Sequence, residues 1–226
     1  MNEFVNEFVN EFVKESVNEP WKSIDPQLLT PVDRYRLLIN SIVPRPIAWI
    51  TTMDAAGVVN LAPFSFFNGV TANPPVLQVC IAHRQPEKDT LVNLRANGEA
   101  VVHLVRGDQL DAMHASGAEY PSGVSEADAL HLSYRPAERI RGRVLEQAQV
   151  AFECRLLQAI PVGDPPTHLC LLEVVMAHIA TEVALPDGIP DPARMRAVAR
   201  LGGSSYLDPE FWQVVERERV RRPSVV

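Results

Sequence analysis

Cysteine is scarce in this chain, and what there is stands apart. Cys80, Cys154 and Cys170 are three thiols in 226 residues, with no CxxC pair and no HExxH. That spacing excludes a disulfide framework and a structural zinc site. Each thiol lies in an apolar, strand-like run, where cysteine serves as a small core residue, and a reducing, cytoplasmic setting is expected. Long hydrophobic runs are missing as well. None approaches the roughly 18 residues that a membrane span needs, and the acidic N-terminal stretch lacks the basic-then-apolar order of a secretory signal. Positive charge is in deficit: a net charge of −7 argues against nucleic acid as a partner, which asks for a basic face. The glycine-rich phosphate loops are absent too. There is no GxGxxG, no P-loop and no GxSxG, and Gly202-Gly203 is the only glycine pair, so a nucleotide must be held by some other device.

What is present is ordinary globular material, 46% hydrophobic and 22% charged, enough for one domain with a sizeable core. The first residues repeat NEFV at 2–5, 6–9 and 10–13, followed by KESV. A period of four places Phe4, Phe8 and Phe12 near one helical face. Two readings stay open: a helix that docks on a partner subunit, or a short tandem duplication without fixed structure. Pro20, Pro26 and Pro31 predict a linker or extended arm over 19–33. The expected organisation is an arm and linker over 1–32, a main domain over 33–207 and a Pro- and Arg-rich tail over 208–226, with short helical pieces near 192–198 and 209–217.

Within the main domain, PIAWITT (46–52) reads as a buried strand and MDAAG (53–57) as a turn, with Asp54 and Gly57 supplying the turn chemistry. VVNLAPFSFF then returns as the second arm of a hairpin. PPVLQVCIA (74–82) and EAVVHLV (99–105) are strands, as are the runs IRGRVLEQ, AFECRLLQAI and HLCLLEVVMAHIA. DTLVNLRANG (89–98) predicts a short helix capped by Asp89 and stopped by Gly98. DQLDAMHAS and SEADALHL predict two more, with Asp108 and Ser125 as caps. Strands joined by short connections, without regular alternation with long helices, indicate a largely antiparallel barrel with helical insertions rather than a doubly wound sheet.

Two stretches carry candidate chemistry. In HRQPEKDT (83–90), Arg84 and Lys88 bring positive charge to the start of a helix, where unpaired N–H groups favour an anion. Thr90 adds a hydroxyl, and Asp89 is assigned to the cap, so the segment is a candidate phosphate seat; a capped surface helix with solvated charges is the plainer alternative. The second stretch is the hairpin. NLAPFSFFN (60–68) threads Asn60, Ser65 and Asn68 through apolar residues and includes Pro63, which interrupts ladder pairing. Thr51, Thr52, Asn60, Ser65 and the backbone of 61–64 offer hydrogen bonds to the edge of a flat heteroaromatic ring, and Trp49, Phe64, Phe66 and Phe67 offer cover for its faces. A barrel core with a few satisfied polar residues explains the same pattern. His178, at the end of its strand, is a candidate ring partner or proton donor, or a structural histidine. Glu153 and Glu173 read as edge or partnered residues, not as a catalytic pair.

The ordered runs RPIAWITTMDAAGVVNLAPFSFFN, PP (74–75) and KDT (88–90) resemble the flavin reductase-like, FMN-binding split-barrel flavoproteins. The resemblance continues through YPSGVSEADA (120–129), FECRL (152–156), LEVVMAHI (172–179) and ARLGGSSY (199–206), and so covers about residues 33–207. ADALHL departs from the glycine-containing text usual in that family. The resemblance implies an FMN-binding split β-barrel, mainly β, that forms a homodimer with one noncovalent FMN per subunit near the interface. It implies that the isoalloxazine edge meets Thr51, Thr52, Asn60 and the backbone of Leu61, Ala62, Phe64 and Ser65, and that the phosphate meets Arg84, Lys88 and Thr90 in the 84–90 loop. It sets Arg200, Gly202, Gly203 and Tyr206 near the cofactor or the dimer interface. The implied activity is an FMN-dependent oxidoreductase in which NAD(P)H delivers hydride to the flavin and a second acceptor takes the electrons. A flavoredoxin-type electron carrier or flavin store and a pyridoxamine-phosphate oxidase-like enzyme are the alternatives.

Overall fold

A computed structural model describes residues 20–211; the NEFV repeats and the greater part of the tail, including most of the helix expected over 209–217, lie outside the described residues. The described residues open with a 3₁₀ turn at Pro26–Leu28 and a helix, α1 (Pro31–Ser41). The expected linker therefore stops sooner than the prolines suggested. Thr30 caps α1 by accepting from Asp33 N–H, and Pro31 occupies the first turn, where its missing N–H costs nothing and its fixed φ suits the helix.

Twelve strands follow in chain order. The first are β1 (Arg45–Pro46), β2 (Ala48–Met53), β3 (Val59–Phe64), β4 (Phe67–Ala72) and β5 (Pro75–Ile81). After helix α2 (Asp89–Asn97) comes β6 (Glu99–Leu104), then α3 (Leu110–Ser116) and α4 (Glu126–Ala129). The hairpin β7 (Tyr134–Pro136) and β8 (Arg143–Leu145) leads to two long strands, β9 (Val150–Val162) and β10 (Thr167–Ile179). A short α5 (Pro192–Met195) and the pair β11 (Ala199–Arg200) and β12 (Tyr206–Leu207) end the described chain. Seven strands form one antiparallel sheet in the order β3-β2-β6-β9-β10-β5-β4. The sheet's two edges are joined through a bend at Ser65 and Phe66, where Cys80 N–H donates to the Phe66 carbonyl at 2.9 Å. The expected fold, mainly antiparallel β with helical insertions, is the one observed.

The sheet has two packed faces. One holds Ile50, Phe64, Phe67, Leu94, Val102 and Leu172 inside the barrel. The other lies under the helical insertions, where Trp49 and Leu61 meet Met113, Ala127 and Leu145. Strand β2, covered on both sides, is buried at every residue, which is why it lacks polar alternation. Its turn is built as the sequence predicts: Asp54 Oδ1 accepts from Val58 N–H at 2.8 Å, and Gly57 sits at φ 92°, a backbone setting natural to glycine. Cys154 and Cys170 are buried. Burial first, and then the neighbouring Glu153, pushes the Cys154 thiol up to about 12, so it is an inert core group.

Several details differ from the sequence reading. VVNLAPFSFF is two strands rather than one, because the bend at 65–66 redirects the chain into β4. The run 140–147 contributes only Arg143–Leu145 to a strand. Two of the three assigned caps are displaced: Lys88 and not Asp89 is the N-cap of α2, and Asp108 sits inside a 3₁₀ turn, paired with Arg106. Ser125 does cap its helix, accepting from Asp128 N–H. That helix is shorter than SEADALHL and is left through His131 at φ 54°.

Candidate functional site

The N-terminus of α2 faces the edge strand β3 across a shallow cavity of about 70 Å³, lined by Asn60, Ala62, Arg84, Lys88, Thr90 and Glu126 among others. A chain of buried side-chain hydrogen bonds fixes Thr90. Asn60 Nδ2 donates to Thr90 Oγ1 at 3.0 Å and to Thr52 Oγ1 at 3.3 Å. Asn93 Nδ2 donates to the same Thr52 oxygen at 3.1 Å. Thr90 Oγ1 thus accepts from the protein and keeps its own proton to donate. The N–H groups of Asp89 and Thr90, in the first turn of α2, have no acceptor among the described residues, as expected of a helix start.

Two cations stand beside this turn. Lys88 is half-buried, its Nζ 5.5 Å from the centre of the Phe64 ring. Burial lowers its pKa, Arg84 lowers it further, and Glu119 partly offsets both. Arg84 reaches Glu119 only at 3.7 Å, so neither charge is closely neutralised. Asp89, assigned to the cap from sequence, instead accepts from Ser122 Oγ at 3.0 Å. The carboxylate is tied to the 120s loop because the extended residue that precedes the helix is Lys88, one position earlier. Glu126 closes the floor of the cavity. Its Oε2 accepts from Leu61 N–H at 2.7 Å, and burial raises its pKa, with the Leu61 bond acting against the rise and Asp89 adding to it.

Strand β3 is an edge of the sheet. In its pairing with β2, Leu61 and Pro63 turn their backbone groups outward. Glu126 takes the Leu61 N–H and Pro63 has none, so the outward edge presents carbonyls. Phe64 and Ser65 continue past Pro63 into a second cavity of about 190 Å³, which also holds Tyr35, Arg45, Arg200, Gly203 and Tyr206. Pro63 belongs to the walls of both.

The predicted residues therefore separate into groups. Asn60, Ala62, Arg84, Lys88, Asp89 and Thr90 meet in the first cavity, and Phe64, Ser65, Arg200, Gly203 and Tyr206 in the second. Thr52 lies behind Asn60. Trp49, Thr51 and Leu61 are inside the protein: Trp49 Nε1 donates to Ser116 Oγ at 2.8 Å, and Thr51 Oγ1 donates to the Arg143 carbonyl at 2.6 Å. Gly202 packs against α1, where a Cβ would overlap Asn40 Oδ1. His178 is not brought to either cavity. Its Nε2 donates to Glu153 Oε1 at 2.7 Å and its Nδ1 accepts from Arg135 at 3.1 Å. Glu153, fully buried, also accepts from Glu138 and Arg139 N–H at 2.7 Å each. Burial pushes its pKa up, but these three donors outweigh burial and hold it below the usual carboxylate range. The sequence reading missed Glu126, Ser116 and Arg45, which lie inside or beside the quoted family text, and Tyr35, for which no local signal existed.

With this geometry in place, the comparisons with known proteins are specific. Residues 40–189 match the family described as flavin reductase like domain, and the chain belongs to that family. It is similar to component B of nitrilotriacetate monooxygenase from Bacillus cereus, 33% identical with a TM-score of 0.82, covering 89% of this chain and 100% of that one. It is also similar to 2-nitrobenzoate 2-nitroreductase from Pseudomonas fluorescens, 27% identical with a TM-score of 0.78, covering 91% and 98% of the two chains. A Shewanella frigidimarina split-barrel protein described as a flavin reductase shares the fold at 20% identity, with a TM-score of 0.76 over 87% of this chain and 96% of that one. The family and these neighbours support an oxidoreductase with a flavin cofactor. Among the described residues, no helix is long and apolar enough to cross a membrane.

Proposed function

We propose that this chain binds FMN noncovalently between β3 and the N-terminus of α2 and works as an NAD(P)H-dependent flavin oxidoreductase that passes electrons to a second acceptor. The observation that carries this reading is the convergence at one helix start of two weakly paired cations, Arg84 and Lys88, with the Thr90 hydroxyl held in place by Asn60. That donor set suits a phosphate dianion, for which charge-assisted hydrogen bonds and a helix N-terminus act together. The carbonyl edge of β3 next to it suits the N–H side of a flat heterocycle, and Phe64 and Pro63 border the slot.

When bound, the flavin supplies the two-electron chemistry, and the protein supplies binding, orientation and electrostatics. Arg84, Lys88 and Thr90 hold the phosphate end. Asn60 fixes the Thr90 rotamer through the Thr52–Asn93 network, and Glu126 fixes the register of the β3 edge by holding Leu61 N–H. The buried carboxyl of Glu126, with its raised affinity for a proton, is placed to gain or lose one as charge beside it changes. His178, held by Glu153 and Arg135, lies away from this slot. Val32, Leu38, Ile42 and Val43 lie exposed on and after α1, an apolar surface that supports a homodimer; the three free thiols suit a cytoplasmic location.

Purified protein saturated with FMN and mixed anaerobically with NADH or NADPH tests the reading. Loss of the flavin colour with one nucleotide is expected. A colourless protein with no affinity for FMN overturns it, and a yellow protein that neither nucleotide bleaches is an electron carrier instead.

A further inference from the structure

We propose that the second cavity is a seat for a small, single-ring carboxylate, held by Arg45 and Arg200. The short strands β1 and β11 pair so that these two arginines stand directly opposite one another. Like charges in that relation destabilise a sheet, and here nothing nearby cancels them: among the described residues neither guanidinium has a carboxylate within 4 Å, and no Asp or Glu lines the cavity.

The internal partners of the two side chains do not remove this excess charge. Arg45 is buried and donates only to neutral carbonyls, through Nη1 to Ile39 and Ile42 at 2.6 Å and through Nη2 to Leu201 at 2.9 Å. Its Nε is buried with no partner among the described residues. Burial lowers its pKa, Tyr35 acts against that, and Arg200 lowers it further. Arg200 donates to the Gly203 carbonyl at 2.6 Å and to the Tyr206 hydroxyl, using two of five N–H donors. Clamping the end of α1 explains one arginine. It does not explain a second placed across from it.

The walls define the rest of the ligand. Arg200 lies 4.4 Å from the centre of the Tyr206 ring, and Tyr35 and Phe64 complete an aromatic surround that favours a flat ring. A planar guanidinium fork matches a carboxylate. The volume of about 190 Å³ has room for one ring. Because Pro63 is shared with the first cavity, a ring seated here adjoins the proposed flavin slot; its role as the electron acceptor rests on the flavin reading, whereas the anion seat does not.

Calorimetric titration of the full chain, with and without FMN, tests the seat, using benzoate as the probe and benzamide as its neutral counterpart. Benzoate is expected to bind at least about ten-fold more tightly than benzamide, since a charge-assisted fork is lost in the amide. Arg200→Gln should weaken benzoate at least about ten-fold, Arg200→Lys should recover part of the loss, and both should keep the wild-type melting temperature. Lys88→Ala should weaken FMN and leave benzoate binding unchanged, so failure of the flavin reading and failure of the seat are told apart. Equal binding of benzoate and benzamide, no benzoate binding in either state, or wild-type benzoate affinity in Arg200→Gln overturns the proposal. So does an Arg200-dependent binding of NADH that benzoate does not share.

Discussion

Glu153 and Arg45 are both charged side chains buried in the same small protein, and their surroundings treat them in opposite ways. Glu153 sits where β9 meets the β7–β8 hairpin and receives two backbone N–H groups and a histidine. Nearby His103, fully buried, donates from Nδ1 to the Trp49 carbonyl at 2.9 Å and accepts Leu145 N–H on Nε2 at 3.0 Å. On that side of the sheet the polar groups are closed on one another. Around β3 and β11 they are not: Arg45 and Arg200 oppose each other, Lys88 and Arg84 have distant counter-ions, and Thr90 retains a donor. Closed networks specify the fold. Donors left over at the rim of a cleft are the ones available to a ligand, and that contrast separates His178, which the sequence offered as a ring partner, from Lys88 and Thr90.

The contrast is broken most directly by opening the closed side. Glu153→Ala leaves three donors without an acceptor in a buried site. It should cost about 3–5 kcal/mol of stability in denaturant titration, while the folded fraction keeps its FMN affinity. Next comes acid. Burial, opposed by the Trp49 bond and assisted by His178 and Arg135, pushes His103 down to about 4. A histidine with a depressed native pKa gives stability that is present above its unfolded value of about 6.5 and is lost as pH falls through the native one. The loss should reach about 3 kcal/mol near pH 4, and His103→Gln, which offers a similar donor and acceptor, should flatten the stability profile over that window. On the open side, Gly202→Ala forces a methyl into Asn40 and should cost about 1–3 kcal/mol. Lys88→Ala is the sharpest test and the smallest effect: FMN binding weakened about ten-fold, or about 1.4 kcal/mol, with the unfolding midpoint unmoved. A variant that lost stability instead would put Lys88 with the closed groups.

The β2–β3 hairpin, its Asp54–Gly57 turn and the Ser125 cap were legible because each is a local pattern with a local cause. Helix α1 was hidden by reading Pro31 as a breaker, when Thr30 before it makes the proline a starting residue. Asp89 stands one residue and Asp108 two residues after the extended residue that defines the cap, Lys88 and Arg106, because that residue is set by the incoming loop. Strand β4 was obscured by its asparagine, glycine and threonine, which an exposed edge strand tolerates. His131 takes a left-handed conformation in the segment where the similar family carries glycine, a departure visible in the sequence whose backbone meaning was not. The arginine pair lay beyond any local pattern, because register between β1 and β11 joins residues far apart in the chain.

Asn40 and Gly202 touch across that same junction, and the match to the family begins at residue 40 and ends at 189. The aromatic and cationic wall draws on both: Tyr35, Arg200, Gly203 and Tyr206 come from outside that span, and Arg45, Pro63 and Phe64 from inside it. The matched span therefore contains the β3 edge, the α2 start and one arginine of the facing pair, and the flanking chain supplies the other. Exchanging those flanks would leave the first cavity whole and take away one side of the second, so the two recognition tasks can be altered separately by changing the ends of this protein.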